Sequence, residues 1–537
     1  MTKPFHEVCR EALSRRYSES GILFQQLPLP LPREAPGNLL SIPKETLELA
    51  VEAAFETIAF RVPRAFLKDI TNLAARSGED TLESFVLESL VRNYLIADKG
   101  VFPLCQDTGT ACIYSWRGTQ IAVDSEKPHY VIFSSAAEKA WEHQKLRNSQ
   151  LLPLAAFGEA NSGNNLPILL ESFSSQGKTW DIVVAAKGGG SSNKSALFQC
   201  TKNDLNLEGM KKLFSRYIET LGVSACPPYT VGIAIGGQSA EESMFAAKLA
   251  SGEMLDNIGE EPNNPFRDHE LEALFMELAE QSGWGAQFGG KCLVRKAVVL
   301  RLVRHAASLP VSFAVSCAAH RWMQIHIDRH GAFAEAMAGN QDTMNGASSL
   351  EKPLATQPVN LNDKSSYTNI TAGTLVSASG KVVLARDAAH ARISSLIAGG
   401  QPLPAWATQY PVFYASPTET PEGSACGSLG PTTSKRMDGY VEAFLERGIF
   451  ALMIGKGERG QAVAEACKKH EGFYFAAIGG AAALIAERHI AKSEIIDWPE
   501  LSMEAVRLVT LKELPLLCVI DGKGTDFYAL KRPNFLA

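Results

Sequence analysis

Apolar positions between residues 43 and 96 recur at helical spacing. Leu47, Leu49, Val51, Ala54 and Phe55 form one stripe, and Leu82, Phe85, Val86, Leu90, Val91 and Tyr94 form another. These are the three- and four-residue steps of helices with one buried face. Helices are also predicted over residues 134–149 and 206–221. Elsewhere the chain turns strand-like. Residues 166–173, 179–186, 231–235 and 311–317 are short apolar runs bounded by polar or glycine-rich passages, which predicts strands. One more strand-like run ends at Arg304-His305. The first 42 residues include LPLPLPREAPG, a proline-rich lead-in that cannot be regular helix. Residues 338–366 are polar and without period, and read as a linker. Beyond it, short strands about a glycine at 374–384, a helix at 388–397 and further alternation of strand and helix predict an α/β unit. The expected fold class is mixed α/β in two domains, α+β over residues 1–337 and α/β over residues 367–537.

Bulk properties narrow the function classes. A chain of 537 residues exceeds what one hydrophobic core supports. Its 45% hydrophobic and 20% charged content is that of an ordinary globular protein. Against 52 basic residues stand 58 acidic ones, a net charge of −6, which argues against a nucleic-acid footprint. The first twenty residues carry charges throughout and lack the apolar stretch of a secretory signal. The longest uncharged apolar run, residues 472–486, is shorter than the roughly 20 residues a spanning helix needs. The expectation is a cytoplasmic protein without a membrane or nucleic-acid partner. In a reducing compartment its ten cysteines are free thiols or metal ligands. No CxxC spacing occurs, which disfavours a zinc ribbon or ferredoxin-type site.

The densest polar chemistry lies in Pro103-Leu104-Cys105-Gln106-Asp107-Thr108-Gly109-Thr110. Cys105 can ligate a metal and Asp107 can move a proton; a polar turn with a buried cysteine reads equally well from these residues alone. Lys187-Gly188-Gly189-Gly190-Ser191-Ser192-Asn193-Lys194 follows a strand, where backbone N–H groups can approach an anion closely, although a glycine-rich turn can also be only a turn. Cys226 precedes two prolines, and Cys317 ends an apolar strand ahead of Ala318-Ala319-His320-Arg321. Cys105, Cys226 and Cys317 each lie at an element end, far apart in sequence, so only the fold can join them. The C-terminal part adds Arg386-Asp387, the passage 417–436 and Lys456-Gly457.

These segments, GVFPLCQDTGTA, KGGGSSNKS, ACPPYTVGIAIGGQSAE, GAQFGGK, VSCAAHR, ARDAAHAR, GSLGPTTSKRMDGYV, KGERG and GFYFAAIGG, resemble class I, iron–sulfur-dependent fumarate hydratase in a single-chain form with fused alpha and beta parts. They keep the family's order over roughly residues 45–537. The resemblance implies an N-terminal iron–sulfur domain and a C-terminal swivelling-type substrate domain. It implies a 4Fe–4S cluster on Cys105, Cys226 and Cys317 with one iron left open, a Lewis acid rather than an electron carrier. It implies an acid–base pair at Asp107 and Thr432. Gln106, Arg147, Gly190, His305, Arg386, Arg436 and Lys456 would hold a small dicarboxylate, fumarate or malate, in a homodimeric enzyme. Without that context His305 reads as a core histidine, Arg147 as a solvated helix charge, and Arg436 and Lys456 as surface charges. Mesaconate or tartrate hydro-lyase activity, and a non-catalytic iron–sulfur sensor, are the alternatives. The chain departs from the family pattern at Glu419, Lys435 and His320; the loop around Glu419 and Lys435 is where a change of preferred diacid is expected.

Overall fold

The computed structural model describes residues 3–78, 81–259, 264–339 and 356–532. The N-terminal part is built on two sheets. The first has six strands in the order Phe24–Gln26, Gly331–Glu335, Trp322–Asp328, Trp180–Lys187, Thr110–Gly118 and Leu169–Ser175. The second has five, in the order Ala196–Cys200, Leu309–Ser316, Tyr229–Gly237, Val294–Arg304 and Phe266–Arg267. Burial along Trp180–Lys187 and Tyr229–Gly237 is nearly continuous rather than alternating, the signature of strands covered on both faces.

Tyr114, Trp116, Val183 and Ala185 of the first sheet share a core with Ala234, Val298, Leu300 and Ala314 of the second and with the helix Ala240–Ser251. The other face of the first sheet is covered by the helices Lys44–Phe60 and His129–His143, where Phe55 meets Trp141 edge-on at 5.4 Å. Covering the other face of the second sheet, the helices Leu207–Leu221 and His269–Gln281 belong to a core that continues without a break into the C-terminal part.

That C-terminal part holds seven strands, Gln357–Asn360, Leu375–Leu384, Val412–Phe413, Leu452–Gly455, Phe473–Ala476, Val506–Ile520 and Ile490–Asp497. The pairings from Gln357–Asn360 through Phe473–Ala476 are parallel, and the long strand Val506–Ile520 closes the sheet antiparallel.

The structure revises four expectations. The first residues are not an extended lead-in: Phe5–Ser18 is a helix whose Val8, Cys9, Ala12 and Leu13 are buried against the sheets. The prolines that forbid helix begin only at Pro28. Between residues 43 and 96 there are three helices, because Pro63 stops one and opens Arg64–Arg76. The helix expected at 134–149 starts earlier and ends at His143, which leaves Arg147 beyond it in a loop. Part of the expected linker, Gln357–Asn360, is an edge strand of the C-terminal sheet, while residues 340–355 lie outside the described residues.

Candidate active site

The helix Leu82–Ala97 anchors two of the thiol-bearing loops. Asn93 Nδ2 donates to the Leu104 carbonyl at 3.0 Å, and Tyr94 donates its hydroxyl to the Ala318 carbonyl at 2.8 Å. Cys226 has φ of 65°, a left-handed backbone that a non-glycine residue adopts only under constraint. The constraint is visible: its N–H reaches Val223 and its carbonyl accepts the Ala318 N–H at 3.0 Å, which ties the Cys226 loop to the Cys317 loop. Cys105, Cys226 and Cys317 thereby line one cavity of about 690 Å³ between the two parts of the chain.

The opposite wall comes from the C-terminal part, across a seam of specific contacts. Gln106 Nε2 donates to the Pro431 carbonyl at 3.2 Å, Ser428 to the Pro103 carbonyl at 2.7 Å, and Thr433 to the Ser224 carbonyl at 3.2 Å. Gln287 and Gly479 exchange two hydrogen bonds of 2.9 and 2.7 Å. Two glycines permit this approach. A Cβ on Gly430 would stand 2.3 Å from Gln106 Oε1, and one on Gly479 would stand 2.4 Å from Cys226 Sγ.

Asp107 is the best-defined polar group of the site. The Gly189 N–H donates to its Oδ2 at 2.8 Å, and Arg147 Nη2 lies 3.3 Å from its Oδ1. Burial would raise this carboxyl, but Arg147, Arg321, the Gly189 N–H and Lys456 together hold it below the usual carboxylate range. Thus the glycine-rich turn does bind an anion, and that anion is the chain's own Asp107. Arg147 is nearly buried and also donates to Ser416 at 3.1 Å, so it is a structured site residue and not a solvated helix charge.

On the far wall Arg436 grips Asp387 with Nε and Nη2 at 2.9 and 2.8 Å, and Nη2 also reaches Thr432 Oγ1 at 3.0 Å. Arg386 pairs with Glu504 at 2.9 Å, and burial with Arg147 nearby brings its guanidinium down to about 10, still charged at neutral pH. Lys456 Nζ donates to Cys226 Sγ at 2.7 Å. Burial pushes the Cys226 thiol up to about 12, with Lys456 pulling the other way.

Gln106, Arg147, Gly190, Arg386, Thr432, Arg436 and Lys456 all line the cavity with Asp107 and the three cysteines. His305 does not. It sits exposed in the turn after Val294–Arg304, where its Nδ1 takes the Ala307 N–H at 3.1 Å. Glu419 and Lys435 are also exposed and outside the lining. His320 is buried behind the Cys317 loop, stacked on Phe66 at 4.9 Å. Among the charged lining residues, Arg321 and Glu504 had no role from sequence, while Lys187 of the glycine-rich turn is lowered to about 8 by burial. The signals for Arg321 were its charge four positions after Cys317 and its place at the end of the family-like segment VSCAAHR.

The donor set can be tested against its expected occupant. Tetrahedral binding of one ion by three thiolates needs sulfurs within about 4 Å of each other. The three cysteines do not bring their sulfurs within 4.8 Å of one another; among the described residues only Glu52, Glu56 and His143 form so tight a group. Three thiols lining one cavity are donors of the kind an iron–sulfur cluster takes.

Comparison with known proteins identifies the family. The family model for fumarate hydratase (fumerase) matches residues 48–326, and that for the fumarase C-terminus matches residues 331–531. The chain is similar to fumarate hydratase 2 of Leishmania major, 39% identical over 508 residues, covering 91% of this chain and 88% of the relative. It is 36% identical over 501 residues to the aerobic class I fumarate hydratase of Escherichia coli K12, covering 91% of each. A putative L(+)-tartrate dehydratase subunit alpha of Methanocaldococcus jannaschii is 31% identical over 261 residues, covering 48% of this chain and 88% of that subunit.

Proposed function

Since the chain belongs to the class I fumarate hydratase family, we propose that its cavity carries out the reversible hydration of fumarate to (S)-malate. The observation that carries this reading is Asp107, an anionic base held between thiols on one side and paired arginines on the other. Cys105, Cys226 and Cys317 would hold a 4Fe–4S cluster. With three protein ligands for four irons, the bound cluster supplies a Lewis acid for the oxygen that is added or removed.

The remaining work falls to the chain's own groups. Arg386, Arg436 and Lys456 offer charge to a dicarboxylate, and arginine forks match carboxylate geometry. Asp107, kept ionised by its neighbours, takes the proton from the carbon next to the departing hydroxyl. Thr432 receives a hydrogen bond from Arg436, so its own proton is turned to other acceptors; among the described residues it has none, which leaves the substrate. The guanidinium also eases loss of that proton, which suits Thr432 to shuttle it.

A cytoplasmic homodimer belongs to the same reading. Among the described residues no helix is long and apolar enough to cross a membrane. The hairpin of Leu151–Pro153 and Glu159–Asn161 carries exposed Leu151, Leu152, Leu154 and a fully exposed Phe157 at the lip of the cavity. Such a patch calls for a cover, and a second copy would supply it; Phe157→Ser should then shift the light-scattering mass toward the monomer.

The decisive experiment is anaerobic reconstitution with iron and sulfide, followed by turnover assays with fumarate, mesaconate and tartrate in turn. Fumarate is expected to react fastest. A fully loaded protein that turned over none of the three would overturn the hydro-lyase reading and favour a sensor.

A further inference from the structure

One cation of the cavity differs from all the others. Arg147 is paired with Asp107, Arg386 with Glu504 and Arg436 with Asp387, while Lys456 donates to Cys226 and Lys187 to the Val315 carbonyl. Arg321 is only 3% exposed, its Nε is buried without a hydrogen-bond partner, and among the described residues its guanidinium makes no hydrogen bond or ion pair in contact, acting on Asp107 and Cys105 only at longer range. Its backbone is well anchored, since the Arg321 carbonyl accepts the Ala186 N–H at 3.1 Å. Arginine does not shed its proton inside a protein. A buried charge without a partner is among the least favourable arrangements a fold can hold. It makes sense where an anion arrives to complete it.

The position says which anion. A Cβ on Gly188 would stand 3.2 Å from Asp107 Oδ2 and 3.3 Å from Arg321 Nη2, so the carboxylate and the guanidinium flank the same glycine. Both line the cavity. Resting on the hydro-lyase reading above, we propose that Arg321 is a further substrate-contacting residue, the cation that receives the carboxylate adjoining the carbon deprotonated by Asp107.

The chemistry needs a cation at that place. When the C–H bond of malate breaks, its proton passes to Asp107 and its electron pair spreads into the adjoining carboxylate. That group then carries a second negative charge until the hydroxide leaves the neighbouring carbon and the C=C bond forms. A cation already in place and shielded from water meets such charge better than one that must first be freed. The paired arginines have a protein carboxylate in the fork already; Arg321 has none.

The test compares wild-type, Arg321→Met and Arg321→Lys proteins, all reconstituted anaerobically. Iron and sulfide content and the visible spectrum report the cluster, calorimetry with unreactive succinate reports diacid binding, and malate turnover gives kcat and KM. Arg321→Met should load its cluster normally and bind succinate about tenfold to a hundredfold more weakly. Its kcat should fall as well, because the lost contact strengthens in the transition state. Arg321→Lys should recover part of the binding. The melting temperature of ligand-free Arg321→Met should be no lower than wild type, since the side chain removed has no partner. Unchanged succinate affinity would overturn the proposal. So would a variant that loses its cluster yet binds succinate normally per loaded site, or one that loses activity only in step with its folded fraction. Failure of the wild-type protein to bind or turn over any diacid would instead sink the parent reading, so the two failures are distinct.

Discussion

On the N-terminal wall of the cavity, Cys105 and Cys226 are 8% and 4% exposed, and Asp107 rests on a backbone N–H that cannot swing away. On the C-terminal wall, Arg436 and its partner Asp387 have side chains 40% and 42% exposed, and the pair is free to trade one carboxylate for another. The difference separates two tasks. Groups that must keep one geometry and one protonation state sit dry and tied to neighbouring loops, where electrostatic interactions are strong. Arg436, one of the groups that meet an incoming diacid, sits at the wetter rim, where an ion pair is worth little and exchanges readily. Loss of the buried base Asp107 should therefore fall on kcat, and loss of Asp387, the exposed partner of Arg436, on KM.

Several substitutions can break or sharpen that division. Cys226→Ser should abolish both the cluster and turnover, the largest effect; a variant with full iron and sulfide content would remove Cys226 from the ligand set. Asp107→Asn should keep the cluster but lower kcat about a hundredfold to ten-thousandfold, and near-normal turnover would exclude Asp107 as the base. Asp387→Asn, at the rim, should change KM several-fold in steady-state assays with kcat nearly intact; an effect confined to kcat would collapse the distinction between the walls. The smallest effect concerns pH. The Asp107 carboxyl is depressed, so the base stays ionised below the usual carboxylate range and is lost only as pH falls through its lowered value. Replacing Arg147 by Met removes the first of the cations that depress it, and should move the acidic limb of the kcat/KM profile to higher pH. A limb that stays in place would mean that Arg321, the Gly189 N–H and Lys456 suffice.

Much of the fold was legible because it is local. The stripes at Leu47–Phe55 and Leu82–Tyr94 are core faces of helices except at Leu49, which faces solvent, and Asn206 caps Leu207–Leu221 by accepting the Gly209 N–H at 3.0 Å. The helix Phe5–Ser18 was missed because its mean hydropathy is low and the prolines that follow dominate the reading; its burial depends on a sheet assembled from distant strands. In the site, no spacing could join Cys105, Cys226 and Cys317, since their meeting depends on Tyr94 and on the Ala318–Cys226 backbone bond. Family resemblance supplied that constellation. The resemblance contains Arg321 in its segment VSCAAHR but gives it no role, because the missing hydrogen-bond partner depends on how the whole site packs. Nor did it place His305, which the described chain leaves outside its own cavity.

The tight fit of Gly479 against the Cys226 sulfur has a kinetic side. No methyl group fits between them, so the seam closes the Gly479 side of the thiol and leaves it open only toward the cavity. Exchange of the Gly479 amide, which is bound to Gln287 across the seam, is then a clock for separation of the two halves. Any diacid that bridges the cavity walls should slow that clock by the factor with which it holds them together.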